Sequence, residues 1–450
     1  MNNTLGWGGI VRLGLVQTSL GAIVVLTTST MNRVMVVELA LPAMLPGALV
    51  ALHYAVQILR PRLGHGSDVG GRRTPWIIGG MLVLALGGIG AAMATSVMAT
   101  DAILGTALAV IAFCAIGLGV GAAGTSLLVL LAKRVEPTRR AAAATIVWVM
   151  MIMGFIITAG VGGHFLDPFT PARLILVTSV VGAIAVVVTL LAVWGVESGP
   201  QTVTQKPDSA PAKTDFRAAL AEVWAEPEAR RFTVFVFLSM LAYSMQDLIL
   251  EPYAGAVFGF TPGQSTQLAG VQHGGVLAGM ISVAVIATSA GKHWLGSLRY
   301  WIVAGCIGSA MSLLLLAMAG QVGAGWPLKA TVFALGFTNG AFAAAAIASM
   351  MALAGAGTPG REGVRMGLWG AAQAIAFGAG GFVGTVGCDV ARVWIQREAD
   401  AYGLVFTIEA AMFVAAALLA MRMAQGHMRM PSFTRIFAAQ QLGAGHSQGD

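Results

Sequence analysis

Charged residues are scarce in this chain. Lys, Arg, Asp and Glu make up only 10% of its 450 residues, whereas 57% are hydrophobic. A soluble chain carries about a quarter charged residues, so this composition excludes a self-solvating globule. The apolar residues form about twelve runs near the ~20-residue length of a spanning helix, without the alternation of a transmembrane barrel. The sequence therefore predicts an all-α integral membrane protein.

Cysteine is also scarce, which bears on metal and redox chemistry. Cys114, Cys306 and Cys388 lie far apart in apolar runs and have no metal-ligand spacing, so we expect buried thiols. The sequence offers no nucleophile–base pair, metal cluster or phosphate loop. We therefore expect no enzyme, no catalytic residue and no metal site of the chain's own. The net charge of +7 predicts no nucleic-acid partner, because the basic residues follow the loops between apolar runs.

The apolar runs predict two sets of six membrane helices. The first set lies at about 11–31, 42–60, 75–96, 102–131, 142–164 and 172–195. The second lies at about 232–251, 265–289, 299–320, 327–354, 365–388 and 402–423. With both termini inside, 21 of the 26 Lys and Arg residues fall on the inner side. This asymmetry predicts that both termini are cytoplasmic.

The two sets resemble each other in sequence. Arg140 and Arg361, and Trp148 and Trp369, recur at a spacing of 221 residues, and His53 recurs as His273 at 220. Parallel six-helix repeats are typical of one large class of transporters. We predict an N-terminal half over 1–196, a linker over 197–231, a C-terminal half over 232–423 and a cytoplasmic tail over 424–450. Within the linker, residues 215–225 are predicted to form an amphipathic helix on the membrane surface.

A polar, basic loop separates the second and third predicted helices. Its residues Gly64, Asp68, Gly71, Arg72 and Arg73 resemble the loop between helices two and three of the major facilitator superfamily. The glycines allow a tight turn, and Asp68 is placed to cap a neighbouring helix N-terminus. The alternative is any basic turn between membrane helices. The resemblance implies a twelve-helix fold with this loop at the inner gate.

Two signals of ion-coupled members of that superfamily are missing. Phe113 stands where many proton-coupled members carry an arginine, four residues before Gly117-Leu118-Gly119. Thr158-Ala159 stands where antiporters carry a Gly-Pro pair. These departures count against a proton antiporter.

Polar residues near the outer ends of helices one and seven form a candidate outer polar site. Helix one is followed by Asn32, Arg33 and Glu38, and Gln246, Asp247 and Glu251 lie in helix seven. An acid near lipid must be paired or wetted. The site is therefore either a substrate site or an outer salt bridge, for example of Arg33 with Glu38 or Glu251. We also expect Glu409, inside helix twelve, to meet a partner helix or a polar neighbour.

Three stretches together resemble one branch of the superfamily, the PucC/LhaA or bacteriochlorophyll delivery family. They are Asn32–Leu39, Arg60–Asp68 and Gln246–Tyr253, and the resemblance extends over about residues 10–425. It implies an assembly factor for light-harvesting antenna complexes in the inner (intracytoplasmic) membrane of purple bacteria. The implied partners are bacteriochlorophyll, the antenna α and β polypeptides, the lipid bilayer and pigment-synthesis enzymes.

Two membrane-embedded histidines are candidate pigment ligands. A bacteriochlorophyll magnesium takes one axial ligand, often a neutral imidazole. His53 and His273 lie in helices two and eight, which border the side openings between the halves in this fold. The alternative is that each histidine hydrogen-bonds to a neighbouring helix. For the whole chain, the alternative to an assembly factor is a transporter that moves a porphyrin-like or other amphipathic molecule by alternating access.

Overall fold

The fold is a helical bundle of two similar halves. The computed structural model describes residues 5–59, 72–136, 139–197, 216–289, 294–356 and 362–423. The first half contains α1 (Trp7–Glu38), α2 (Met44–Leu59), α3 (Thr74–Met98), α4 (Ala102–Arg134), α5 (Arg140–Leu166) and α6 (Pro171–Val193). After α7 (Phe216–Ala225), the second half contains α8 (Pro227–Met245), α9 (Leu250–Phe258), α10 (Pro262–Ser289), α11 (Leu298–Val322), α12 (Leu328–Ala356), α13 (Glu362–Trp394) and α14 (Glu398–Met423).

Most of these helices are membrane spans by length and composition. Within the described ranges, ten are long and apolar enough to cross a membrane, and the bent pair α8–α9 adds an eleventh. The shorter apolar helix α2 occupies the remaining predicted span. The prediction of an all-α membrane protein with about twelve helices is confirmed.

The first predicted helix is too short by several residues. The polar residues Asn32 and Arg33 suggest that the span ends near residue 31, but α1 continues to Glu38. The extra turns lie at the boundary between the halves, where both polar side chains find partners in the second half. Glu38 is therefore the last residue of α1 rather than a residue of the following loop.

Each half has its own apolar core, and the two cores are built in the same way. One core contains buried residues between Ile10 and Val196, together with Leu248, and the other contains residues between Val223 and Ala420. In the first half α1 packs on α5, α3 on α4 and α6, and α2 on α4. In the second half α8 packs on α13, α11 on α12 and α14, and α10 on α12. The packing therefore repeats helix for helix.

Two helix pairs join the halves along their sides. Helix α2 packs on α13, and α5 packs on α10. We call these pairs the α2–α13 seam and the α5–α10 seam. Because α2 corresponds to α10 and α5 to α13 in the repeat, the two seams are equivalent contacts.

The short helix α7 is attached to the second half. It spans Phe216–Ala225, close to the predicted 215–225, and packs on α8 and α13. Val223 is fully buried in the core of the second half, whereas Trp224 is largely exposed. A helix lying only on the membrane surface would leave Val223 against lipid headgroups, so α7 is also part of the packed second half.

Glycines allow α10 and α12 to touch along their backbones. A Cβ atom on Gly279 would lie 2.1 Å from the carbonyl oxygen of Phe337. On the facing helix, a Cβ on Gly340 would lie 2.1 Å from the carbonyl oxygen of Val276. Small residues four apart permit this close helix approach in membranes, so these glycines set the spacing of the pair.

Candidate functional site

The predicted outer polar site lies where α1 meets the break in the seventh span. Helix α1 widens into π-helical turns at Leu26–Thr30 and Val34–Glu38. Opposite it, the span breaks at a 3₁₀ turn, Gln246–Leu248, before α9 begins. Such irregular turns release backbone groups from regular helical bonding, and they are frequent at functional sites. We call this region the polar layer and define it by Ser29–Glu38, Gln246–Glu251 and Thr266.

Hydrogen bonds across the polar layer tie the two halves together. The Asn32 amide donates to the carbonyl oxygen of Leu248 at 2.7 Å. Ser29 donates to the Glu251 carboxylate, and the hydroxyl oxygens of Thr30 and Thr266 lie 2.8 Å apart. All these groups are buried, where a hydrogen bond is stronger than in water. The polar layer is therefore part of the contact that closes the bundle at this end.

Arg33 is the one cation predicted for this site, and it bridges the halves. Its guanidinium forms an ion pair with Glu38 of the same helix and donates to the carbonyl oxygen of Phe260 at 2.5 Å. A Cβ on Gly255 would lie 2.9 Å from Arg33 Nη2, so the glycine makes room for the guanidinium. The Arg33–Glu38 ion pair lies within α1 and does not itself join the halves, and Glu251 takes its hydrogen bond from Ser29 instead.

Several buried groups in the polar layer have spare hydrogen-bonding capacity. Among the described residues, Asn32 Oδ1, Glu251 Oε2 and both amide atoms of Gln246 have no hydrogen-bond partner. Asp247 is only half-buried, and its carboxylate interacts electrostatically with those of Glu251 and Glu409. A buried polar group without a partner costs free energy. The layer is therefore suited to receive a polar group of a guest molecule or ordered water.

Glu409 lies deeper in the second half, on α14. Its side chain is fully buried, and within the described part of the chain neither carboxylate oxygen has a hydrogen-bond partner. Helix α14, which carries Glu409, packs on α8 and α11. The Asp247 carboxylate of the seventh span is near enough to interact electrostatically with that of Glu409.

The two candidate pigment ligands differ in their surroundings. His53 is buried in α2, with its Nε2 atom 3.0 Å from the Gln57 amide nitrogen. His273 is half-buried in α10, and its Nδ1 donates to the carbonyl oxygen of Ala269 at 2.8 Å. Its ring meets the edge of Phe155 across the α5–α10 seam, with ring centroids 4.7 Å apart. Each histidine therefore has a bond within its own helix, whereas the alternative interpretation expected a bond to a neighbouring helix, and the His273 ring also contacts the opposite half.

The predicted inner-gate loop falls largely outside the described residues. Gly64, Asp68 and Gly71 are not described, so their roles stay predictions; Arg72 is exposed and Arg73 is buried. The N-terminus of α3 is held by Glu197, whose carboxylate accepts the backbone N–H groups of Arg73 and Thr74 at 2.8–3.0 Å. Burial acts to raise the pKa of Glu197, but these hydrogen bonds outweigh it and lower the pKa below its ordinary value.

Sequence reasoning missed a cavity at the same end as Glu38. It has a volume of about 550 Å³. One wall is apolar and comes from the α1–α2 connection, and the other carries Asp389, Arg392 and Glu398. Arg392 donates to both carboxylates and to the Tyr402 hydroxyl. In the sequence, these three charged residues follow an apolar run, a pattern that is typical of an ordinary loop after a membrane helix.

The fold places the chain in a known class of membrane proteins. The nucleoside transporter NupG covers 92% of this chain and 98% of its own length with a TM-score of 0.65 at 13% identity. A bacterial homologue of the human lysosomal transporter Spinster covers 93% of this chain and 96% of its own length with a TM-score of 0.67 at 14% identity. The chain has the major facilitator fold.

Sequence comparison assigns the chain to one family with this fold. The family described as PUCC protein matches residues 30–428, and the chain belongs to it. A Rhodobacter capsulatus protein named "Bacteriochlorophyll synthase 44.5 kDa chain" is 54% identical, over 95% of this chain and 99% of that one. A protein named PucC from the same organism is 30% identical, over 90% of each chain. Another PucC, from Cereibacter sphaeroides, is 30% identical over 88% of this chain and 85% of that one. The predicted family is confirmed.

Proposed function

We propose that this chain is an assembly factor for light-harvesting antenna complexes. It binds or delivers bacteriochlorophyll, nascent antenna α and β polypeptides, or both, within the membrane. The observation that carries the proposal is membership of the PucC family over residues 30–428. The 54% identical relative is named for bacteriochlorophyll, which agrees with this role. Because such guests are apolar, they reach the chain sideways from the lipid, at the seams.

The chain acts without catalytic turnover in this proposal. The word "synthase" in the name of one relative leaves a second role open for that protein, as a chain of a pigment-synthesis enzyme. The transporter fold favours a non-catalytic role, with pigment-synthesis enzymes as partners that supply the guest. The proposed location is the bacterial inner, intracytoplasmic membrane, with both termini in the cytoplasm. The 21 Lys and Arg residues on the predicted inner side support this orientation.

His273 is the better-supported axial ligand for the pigment magnesium. A carbonyl oxygen only accepts, so the bond to Ala269 makes Nδ1 the protonated nitrogen. Nε2 then keeps its lone pair, the form in which imidazole binds a metal. The Nε2 atom of His53 instead lies against the Gln57 amide, which competes for that lone pair. The residues present therefore fit a magnesium-bearing pigment at the α5–α10 seam better than at the α2–α13 seam.

Pigment content after mild-detergent purification tests this proposal. We expect His273→Leu to lower co-purified bacteriochlorophyll about tenfold, as is typical for the loss of one metal ligand or its support. His53→Leu should change it less, and the double variant should match His273→Leu. The readouts are the absorption spectrum per mole of protein and the amount of co-purified antenna polypeptide.

A third histidine provides the matched control. His164 is exposed in the last turn of α5, away from the bond to Ala269, so His164→Leu should keep full pigment content. Unchanged pigment in His273→Leu contradicts axial ligation by this residue. Absence of both bacteriochlorophyll and antenna polypeptide from the wild-type protein contradicts the assembly function itself.

Alternating-access transport of a porphyrin-like or other amphipathic molecule is the second candidate. Buried polar atoms of Gln246, Asn32 and Glu251 have no hydrogen-bond partner among the described residues, and they favour transport because a passing substrate would satisfy them. Transport predicts solute accumulation in sealed vesicles containing the purified protein. Assembly without transport predicts pigment binding but no accumulation.

A further inference from the structure

A carboxylate at the end of α5 holds the first turn of α10 in the opposite half. Asp167 follows the last residue of α5, and its Oδ1 accepts the backbone N–H of Gly263 at 3.2 Å. Its Oδ2 accepts the Thr261 hydroxyl at 2.6 Å. Thr261 and Gln264 bond to each other's backbone N–H groups, which forms a capping box at this helix start. Asp167 therefore adds a cap from outside the helix and from the other half of the protein.

A second carboxylate caps a helix of the opposite half at the α2–α13 seam. Asp389, near the end of α13, accepts the backbone N–H groups of Ala43 at 3.0 Å and Met44 at 2.7 Å. Met44 is the first residue of α2. These are orphan donors of a helix N-terminus, and an anion there is favoured by the helix dipole. Again, a carboxylate of one half caps a helix of the other.

The two contacts are related by the internal repeat. Asp167 and Asp389 are 222 residues apart, close to the spacing of 221 that relates α5 to α13. The capped residues, Met44 and Gly263, are 219 apart, close to the spacing of 220 that relates His53 to His273. Each seam thus ends in the same arrangement, with the roles of the halves exchanged.

Neighbouring residues hold both carboxylates in place against the helix N-termini that they cap. Arg392 donates to Asp389 Oδ1 at 3.0 Å, and Arg173 donates to the backbone carbonyl oxygens of Asp167 and Pro168. The approach at the α5–α10 seam needs glycine: a Cβ on Gly263 would lie 2.4 Å from the carbonyl oxygen of Gly163. Arginines fix both carboxylate-bearing segments, and close backbone approach brings the helix start to one of them.

We propose that Asp167 and Asp389 are a pair of symmetry-related latches that hold the bundle closed at the Glu38 end. Opening this end separates α10 from α5 and α2 from α13, so both carboxylates must leave their helix N-termini. In the polar layer, α1 bonds to the seventh span and to α10 at the same end, and these hydrogen bonds must also break. A guest that enters a seam at this end has to displace a latch. The proposal does not depend on the identity of the guest.

Distance measurement between spin labels tests the latches directly. Ala99 and Ala324 are exposed in loops of the first and second half at this end. We would label Ala99→Cys and Ala324→Cys in a Cys114→Ala background, since Cys306 and Cys388 are buried. Pulsed electron paramagnetic resonance on Asp167→Asn, Asp389→Asn and the double variant then gives the populations of short and long distances. We expect each single change to raise the open-to-closed ratio about fivefold, as for a lost N-cap, and the double variant to exceed both.

Asp101→Asn is the matched control. Asp101 also caps a helix N-terminus with its carboxylate, accepting from Ile103 and Leu104 at 3.0 Å, but within the first half. It should leave the distance distribution at the wild-type value. Distributions for Asp167→Asn, Asp389→Asn and the double variant that all equal that of Asp101→Asn would overturn the proposal.

A steric variant keeps the test decisive if the aspartate variants fail to fold. Gly263→Ala retains every charge but places a methyl group against Gly163 and Asp167. We expect it to raise the open population in the same direction. A closed distribution in Gly263→Ala, with intact folding by size-exclusion chromatography, counts against the latch at the α5–α10 seam.

Discussion

Residues at equivalent positions of the two halves differ in their contacts. His53 and His273 hold related places in the repeat, yet one bonds to a glutamine side chain and the other to a carbonyl oxygen. Trp148 and Trp369 show the same divergence, because Trp148 is 43% exposed whereas Trp369 is buried. Recurrence in sequence therefore preserves position in the fold but not chemical environment.

At the scale of single residues, Glu197 predicts how the stability of the protein depends on pH. Its pKa is lowered in the folded protein, so its contribution to stability is present at neutral pH and is lost as the pH falls through the folded-state pKa. We expect Glu197→Gln to destabilise the protein by about 1 kcal/mol at neutral pH, the typical value of a helix cap. Thermal unfolding of both proteins in the same detergent measures the difference.

The difference between wild type and Glu197→Gln should shrink as the solution is acidified below the ordinary pKa of glutamate. Glu222→Gln, an exposed glutamate on α7, is the control for the general effect of removing a carboxylate. A constant difference across the whole pH range would show that the charge of Glu197 contributes nothing.

Some helix pairs in this chain pack through side chains, whereas others bring their backbones into direct contact at glycines. The α10–α12 pair belongs to the second kind, with Gly279 against Phe337 and Gly340 against Val276. Packing of this kind leaves no room for a methyl group, because backbone atoms cannot change rotamer. Glycine-rich spans are therefore structural where a facing backbone is near, and they are neutral elsewhere.

Neighbouring glycines on α10 provide a matched test at the element scale. We expect Gly279→Ala to lower stability by about 1–3 kcal/mol, the cost of overpacking a tight contact. Gly274→Ala should have little effect, since nothing lies within 4 Å of the added methyl group. Melting temperatures of the two variants in one detergent give the comparison. Equal melting temperatures would contradict the close approach of α10 to α12.

At the scale of the whole molecule, the internal repeat makes the two contacts between the halves equivalent. The halves join through two equivalent seams, and each seam ends at a carboxylate that caps a helix of the other half. Between the seams, the polar layer adds hydrogen bonds from α1 to the broken seventh span. The Glu38 end is therefore closed by polar contacts, which can exchange partners more readily than an apolar core.

Orientation in the membrane is a prediction at this scale. With both termini inside, 21 of the 26 cations fall on the inner side, which predicts that α7 lies in the cytoplasm and the α3–α4 loop outside. We expect a membrane-impermeant maleimide to label Ala99→Cys in intact spheroplasts, and Ala221→Cys only after permeabilisation. Both variants carry Cys114→Ala, and the background protein without either added cysteine is the control. The reverse labelling pattern would invert the assigned topology.

The sequence was sufficient for the family and for approximate helix positions, and it predicted six residues of the polar layer as a candidate site. Asn32, Arg33 and Glu251 stand out because polar groups in an apolar run must find partners. Their partners were harder to predict: Glu251 bonds to the uncharged Ser29, and Asn32 and Arg33 bond to backbone carbonyl oxygens of the second half. Asp167 and Asp389 looked like ordinary loop charges, and nothing near them in sequence names Gly263 or Met44 as their contacts.

The amino-acid sequence by itself determined the number of spans and the internal repeat, because burial of apolar residues in lipid is decided locally, one run at a time. Only the tertiary structure decided that α1 continues through Asn32 and Arg33 to Glu38, and that Glu251 bonds to Ser29 rather than Arg33. It also decided which carboxylate caps which helix. These contacts between the halves join residues at least 94 positions apart in sequence, and their energies exist only once the two halves have packed together.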